Sequence, residues 1–111
     1  MNNVSIIGRL GGDPELRFTT GGKPVASFSM AIDNPFRDDN TPDWVNVETW
    51  GKTAELVSEH KSKGDQVAIT GRLTSSNWED DDGNKRSRTF VTAERIDFLH
   101  TVKTNKEEEA A

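Results

Sequence analysis

Residues 44–52 read WVNVETWGK, and two of the chain's three tryptophans, Trp44 and Trp50, stand six residues apart in them. Side chains alternate between faces along a β-strand, so residues an even number apart point the same way. Trp44, Asn46, Glu48 and Trp50 therefore share one face, and Val45, Val47 and Thr49 share the other. The second set is small, β-branched and suited to a core, whereas an unpaired carboxylate such as Glu48 is costly to bury. The valines are expected inside, and the tryptophans outside with the polar residues. Two large apolar side chains held against water on one strand call for a ligand or a partner.

On either side of this stretch, short strand-like runs alternate with turn signals. NVSIIGRL (3–10) is β-rich and stops at Gly11-Gly12-Asp13-Pro14, after which ELRF (15–18) continues or bends the same strand. PVASFSMAI (24–32) alternates cleanly, with Ala26, Phe28, Met30 and Ile32 on the buried face and Ser27 and Ser29 opposite. The polar loop RDDNTP (37–42) leads into the tryptophan strand. KTAELVSEHKSKG (52–64) is the one helical stretch: Leu56, Val57 and His60 make a narrow apolar stripe, lysines fill the last turn and Gly64 is placed to cap the end. In QVAITGRLTSSNW (66–78), Val67, Ile69 and Leu73 point inward, and Thr70, Arg72, Thr74, Ser76 and Trp78 point outward. Asp82-Gly83 signals a hairpin, and RSRTFVTAERIDFL (86–99) returns as the last strand.

Composition narrows the class. A chain of 111 residues is one domain, and its hydrophobic fraction of 32% is low, which favours a thin-cored β architecture over a large α/β enzyme. With no cysteine, disulfides, zinc ribbons and thiol catalysis are excluded. No apolar run approaches a membrane span, and MNNVSIIGRL lacks the charged and apolar regions of a signal peptide, so a soluble, cytoplasmic protein is expected. The net charge of -5 disguises its distribution: six acidic residues fall in two clusters, Asp80 to Asp82 and Glu107 to Glu109, leaving 13 acidic against 14 basic residues elsewhere. A local basic face is compatible with that balance.

Strand, strand, strand, helix, strand, strand, with glycine at bends such as Gly8 and Gly71, is the layout of a five-stranded Greek-key barrel of the oligonucleotide/oligosaccharide-binding (OB) fold. The expected class is all-β with one short helix, a binding domain over residues 1–100 and a disordered polar, acidic tail over 101–111. Phe18, Phe28, Phe90 and Phe98 are assigned to the core or the barrel rim. All three tryptophans fall on the face or rim that binds oligonucleotides in this fold.

The residues VSIIGRLGGDPELRFTTGGKPVASFSMAI, WVNVETWGKTAELVSEHKSKGDQVAITGRL and NWEDDDGNKR resemble those of bacterial single-stranded DNA-binding proteins, over residues 1 to 99. The resemblance implies a homotetramer that coats single-stranded DNA without sequence preference in replication, recombination and repair, in the bacterial cytosol or nucleoid. It also implies that bases stack at the positions of Phe36, Trp44, Trp50 and Trp78. Trp44 and Trp50 would lie about 20 Å apart at about 3.3 Å per residue, a span that fits successive bases of a stretched strand. Arg37, Lys52, Arg72, Lys85, Arg86 and Arg88 are the phosphate candidates by position, with Arg17 and Lys23 behind them.

Two departures from the family carry expectations. Ser75-Ser76-Asn77 stands before Trp78 where relatives commonly carry basic residues, which predicts fewer phosphate contacts and weaker, less salt-sensitive binding. The chain ends in EEEAA, without the apolar aromatic tip through which family members recruit replication and repair proteins, so either the sequence is truncated or this is a variant that binds DNA without that recruitment.

Other chemistry fails on spacing. Gly51-Lys52-Thr53 ends like a phosphate-binding loop, but the earlier glycine it needs is Asn46. Asp80 to Asn84 begins like a calcium loop, but Lys85 replaces its glycine and Val91 its closing glutamate. His60 and His100 have no partners at metal-ligand spacing. No enzyme, cofactor or metal is expected. The rival reading is a protein-assembly module, as in related primosome components, with the tryptophans buried in a protein interface; the flanking arginines and lysines favour nucleic acid.

Overall fold

The tryptophan strand takes its place in a closed sheet in the computed structural model, which describes residues 1–99. The elements are β1 (Val4–Leu10), β2 (Glu15–Phe18), β3 (Pro24–Ile32), β4 (Asp43–Trp50), α1 (Lys52–His60), β5 (Gln66–Glu79) and β6 (Lys85–Phe98). β1 pairs with β5 from Val4 opposite Gly71 to Arg9 opposite Gln66, and at its far end with β3 through Leu10 and Met30. β3 pairs with β4, β4 with β6 in parallel, and β6 with β5, which closes the ring. β2 lies along the same edge of β3 that β1 reaches. It is the continuation of the first strand after the glycine bend, so six elements make the expected five-stranded OB barrel.

The core follows the alternation. Ala26, Phe28 and Met30 of β3, Val47 of β4, Val67 and Ile69 of β5 and Val91 and Ala93 of β6 pack together with Leu10, Ala54 and Val57. Thr49 lies fully buried among them, its hydroxyl donating to the Ala93 carbonyl at 3.1 Å, so the parallel seam between β4 and β6 keeps its one buried hydroxyl satisfied.

Several expectations are corrected. Ala54 and Val57 are the residues α1 buries, while Leu56 is half-buried and His60 exposed, its ring 6.3 Å from that of Phe98. The helix stops at His60 rather than at Gly64, because Asp65 takes the Ser62 N–H at 2.9 Å and Asp13 the Lys63 N–H at 2.8 Å, giving the chain a competing set of turns. Gly64 instead donates to the Leu10 carbonyl at 2.8 Å. Leu73 has core parity but is exposed. β1 ends opposite Gly71, and past it the Asn2 side chain pairs both polar groups of the Leu73 backbone at 2.8 Å, so no strand lies beyond to cover the leucine. Phe18 is exposed, and Ile32 only half-buried. The expected tail, 101–111, lies outside the described residues, as does His100.

Candidate functional site

Strand register gathers the tryptophans onto one surface. β3 and β4 place Val25 opposite Trp50, Ser27 opposite Glu48, Ser29 opposite Asn46 and Ala31 opposite Trp44. β6 carries the row on, with Thr92 opposite Glu48, and β5 sets Arg72, Thr74, Ser76 and Trp78 against Thr92, Phe90, Arg88 and Arg86. Directly paired residues project from the same face of a sheet. Trp44, Trp50 and Trp78 thus share the barrel's outer face, and Arg17 joins it from β2 opposite Val25. They remain open to solvent at 62%, 39% and 47% of their surface.

Each tryptophan has its own support. Trp44 rests on Gly11, where a β-carbon would stand 2.4 Å from the indole Cζ3 and 2.8 Å from the Ser29 hydroxyl. Only a residue without a side chain admits the ring there, so Gly11→Ala is expected to lift Trp44 off its bed while leaving the fold intact. In a background with Trp50 and Trp78 replaced by phenylalanine, Trp44 emission should shift to the red and become more accessible to iodide; unchanged emission would contradict this packing. Trp50 covers the buried Val25, with the Lys23 ammonium 5.8 Å from the centre of its ring. Trp78 stands on the arm formed by the outer halves of β5 and β6, in register with Arg86.

The tip of that arm is organised by Asp80. Its carboxylate accepts the backbone N–H groups of Asp82 and Asn84 at 3.0 and 2.9 Å and the Arg86 Nε–H at 2.9 Å. The Asn84 bond first, and the Arg86 bond next, hold this carboxyl below its ordinary pKa. The hairpin signal at Asp82-Gly83 is realised with Gly83 at a φ of 80°.

Phe36 stands apart from the sheet. It is 93% exposed on the loop between β3 and β4, where its backbone N–H donates to Asn34 and Arg37 binds Asp43 at 2.7 Å. Of the other basic candidates, Arg72 meets Glu94 at 3.1 Å, Arg86 meets Asp80 at 2.9 Å and Arg88 meets Glu48 at 3.0 Å. Lys52, at the start of α1, is 4.0 Å from Glu55. Lys85 is exposed and shares an open depression with Trp78 and Arg86. Apart from the Arg88–Glu48 pair, whose carboxylate is buried, these pairs are open to solvent and worth about 0–1 kcal/mol, so an incoming anion can exchange with their carboxylates.

Glu48 is the residue whose solvation sequence reasoning misjudged. It lies on the tryptophan face as parity requires, but it is only 7% exposed. Arg88 at 3.0 Å and Arg17 at 3.6 Å close over it from β6 and β2, and a paired carboxylate can be buried where a bare one cannot. Phe90 is buried, as its assignment to the core or rim expects, but from the outer face. It has outer-face parity and no place in the core cluster, yet it is 8% exposed because the Arg88 guanidinium lies over its ring. No local signal announced the Glu48 contact, which joins residues 40 apart in the chain, whereas Arg88 and Phe90 stand two residues apart on the same face of β6.

Among the described residues, no group of histidine, cysteine, aspartate or glutamate could hold a metal ion, and no helix is long and apolar enough to cross a membrane. The chain is similar to the single-stranded DNA-binding protein of Thermosynechococcus vestitus, 39% identical over 89% of this chain and 82% of that one. Single-stranded DNA-binding protein 1 of a Synechocystis species is 34% identical over 96% and 90%. The single-stranded DNA-binding protein of Clostridium tetani is 43% identical over 89% and 70%. These relatives are named for binding and not for catalysis, in agreement with the expectation that the chain is not an enzyme. The family model of the single-strand binding proteins matches residues 1–99, every residue of the barrel included, and the chain belongs to that family.

Proposed function

We propose that this chain binds single-stranded DNA without sequence preference and protects it during replication, recombination and repair. Bases stack on Trp44, Trp50 and Trp78, with Phe36 reaching in from its loop, and Lys52, Lys85, Arg37, Arg72 and Arg86 take the phosphates. The observation that carries this reading is the alignment of three solvent-open tryptophans on one sheet face. Every base has a π face, so a track of aromatics holds any sequence, at about 1–3 kcal/mol per stacked base. The protein works as a homotetramer in the cytosol.

Titration with a thymidine homopolymer, followed by tryptophan fluorescence at several salt concentrations, tests this. Strong quenching is expected, with affinity falling as salt rises at a slope of about 0.7 per phosphate neutralised, hence no more than about 3.5 per protomer if all five cations engage. Absence of quenching and of binding at low salt would overturn the reading and leave the tryptophan face to a protein partner.

A further inference from the structure

We propose that Arg88 is a base-stacking platform and not a phosphate contact, and that Glu48 is the residue that positions it. The proposal deepens the reading that the chain binds single-stranded DNA and rests on it.

The Arg88 Cζ lies 4.3 Å from the centre of the Phe90 ring, a distance at which a guanidinium rests on an aromatic face. Its Nη2 is bonded to Glu48 Oε2 at 3.0 Å, and the Glu48 side chain is itself only 10% exposed, fixed from the other side by Arg17 at 3.6 Å. A charge-assisted bond to a carboxylate that has almost no water is harder to exchange for a phosphate than the exposed pairs of Arg37, Arg72 and Arg86. The guanidinium is therefore spoken for at its edge. Even so, the Arg88 side chain keeps 48% of its surface open, and that surface lies in the groove.

Its position there is central. Arg88 lines the depression floored by Ser29 and Asn46, and also the one bounded by Glu48, Ser76, Trp78 and Phe90. Phe90 and Glu48 continue into the depression beside Trp50. Bases stack on arginine planes as they do on aromatic rings. A base passing between Trp50 and Trp78 would find a guanidinium backed by phenylalanine, a further π surface between the two tryptophans. Arginine supplies both a flat face and an edge N–H that Glu48 holds, and lysine has no such plane.

Arg88→Lys keeps the charge and removes the plane, which separates the two roles. It is expected to bind a thymidine homopolymer about 5-fold or more weakly, with an unchanged salt slope. On an abasic deoxyribose-phosphate oligomer of the same length, it should bind as tightly as the unaltered protein. Glu48→Gln, close to isosteric, should share the loss on bases, and Glu48→Gln/Arg88→Lys should lose little more than either alone, the signature of one unit. Thermal melts and circular dichroism of each variant establish that the barrel is intact. An Arg88→Lys protein that binds the homopolymer as tightly as the unaltered protein overturns the platform, as does an equal loss on the abasic oligomer. The unaltered protein serves as the control: if it fails to bind the homopolymer, the underlying DNA-binding reading falls as well, whereas binding with an indifferent Arg88→Lys removes the platform alone.

Discussion

Replacing Trp50 by alanine is expected to weaken binding to a thymidine homopolymer by about 5- to 150-fold, the equivalent of one stacked base at about 1–3 kcal/mol. Trp50 is the tryptophan to choose because it sits beside Lys23, Arg72 and Phe90 around a single depression, where two cations and two aromatic rings stand together. It is also the least exposed of the three, since its indole covers Val25. Truncation therefore uncovers one valine and lowers stability modestly, without opening the core cluster, to which Val25 does not belong. The salt slope should stay near that of the unaltered protein, because no cation is removed. The same variant separates the two readings of the tryptophan face. A protein that keeps its assembly state in solution but loses affinity supports base stacking. One that falls apart into smaller species, with DNA binding unaffected, would assign Trp50 to a subunit or partner interface.

How far the sequence reveals this surface depends on the range of the interactions involved. Strand parity is local, and it was enough to put Trp44, Trp50 and Trp78 on the outside and Val47, Met30 and Ile69 on the inside. The glycine bends and the Asp82-Gly83 turn are local too, and the order of elements with them. Glu48 shows where such reasoning stops. It was expected to face water because a carboxylate resists burial, and its face is right, but its solvation is not. Arg88, 40 residues away, arrives on a strand whose pairing with β4 is parallel and cannot be read from either segment. Once the guanidinium is there, the carboxylate no longer needs water. Phe90 follows from the same contact: its parity is outward, its burial is core-like, and only the arginine across its face reconciles the two. Leu73 fails in the opposite sense, inward by alternation but uncovered, because the strand beside it ends at Val4. In each case the local period is obeyed; for Glu48 and Leu73 the neighbour that decides burial lies elsewhere in the chain, while the one that covers Phe90 stands two residues before it on the same strand.

Gly71→Ala is expected to be the most damaging glycine-to-alanine substitution in the barrel, lowering stability by about 3 kcal/mol and the midpoint of thermal unfolding by about 12 °C or more. A β-carbon at this position would stand 2.0 Å from the Thr92 carbonyl oxygen, 2.9 Å from its carbon and 3.0 Å from the Ala93 Cα. All three are backbone atoms of β6, so no side chain can turn aside to make room. The register of β5 against β6 slips between Thr70 and Gly71, which brings the two backbones together at the point where β5 also takes its last partner from β1. A shift there breaks two seams of the ring at once. Gly12→Ala provides the control, because nothing lies within 4 Å of its β-carbon and its φ is not left-handed. There the loss of freedom in the unfolded chain should dominate, making the variant equal to the unaltered protein or about 0.4–1 kcal/mol more stable. Two glycine-to-alanine changes in one small barrel should thus differ in sign. A Gly71→Ala protein that melts with its Gly12→Ala counterpart would mean that β6 can yield at Thr92. The arm carrying Trp78, Arg86 and Arg88 would then hang from a softer joint than its bulge implies, free to swing about Gly71 as it meets a strand of DNA.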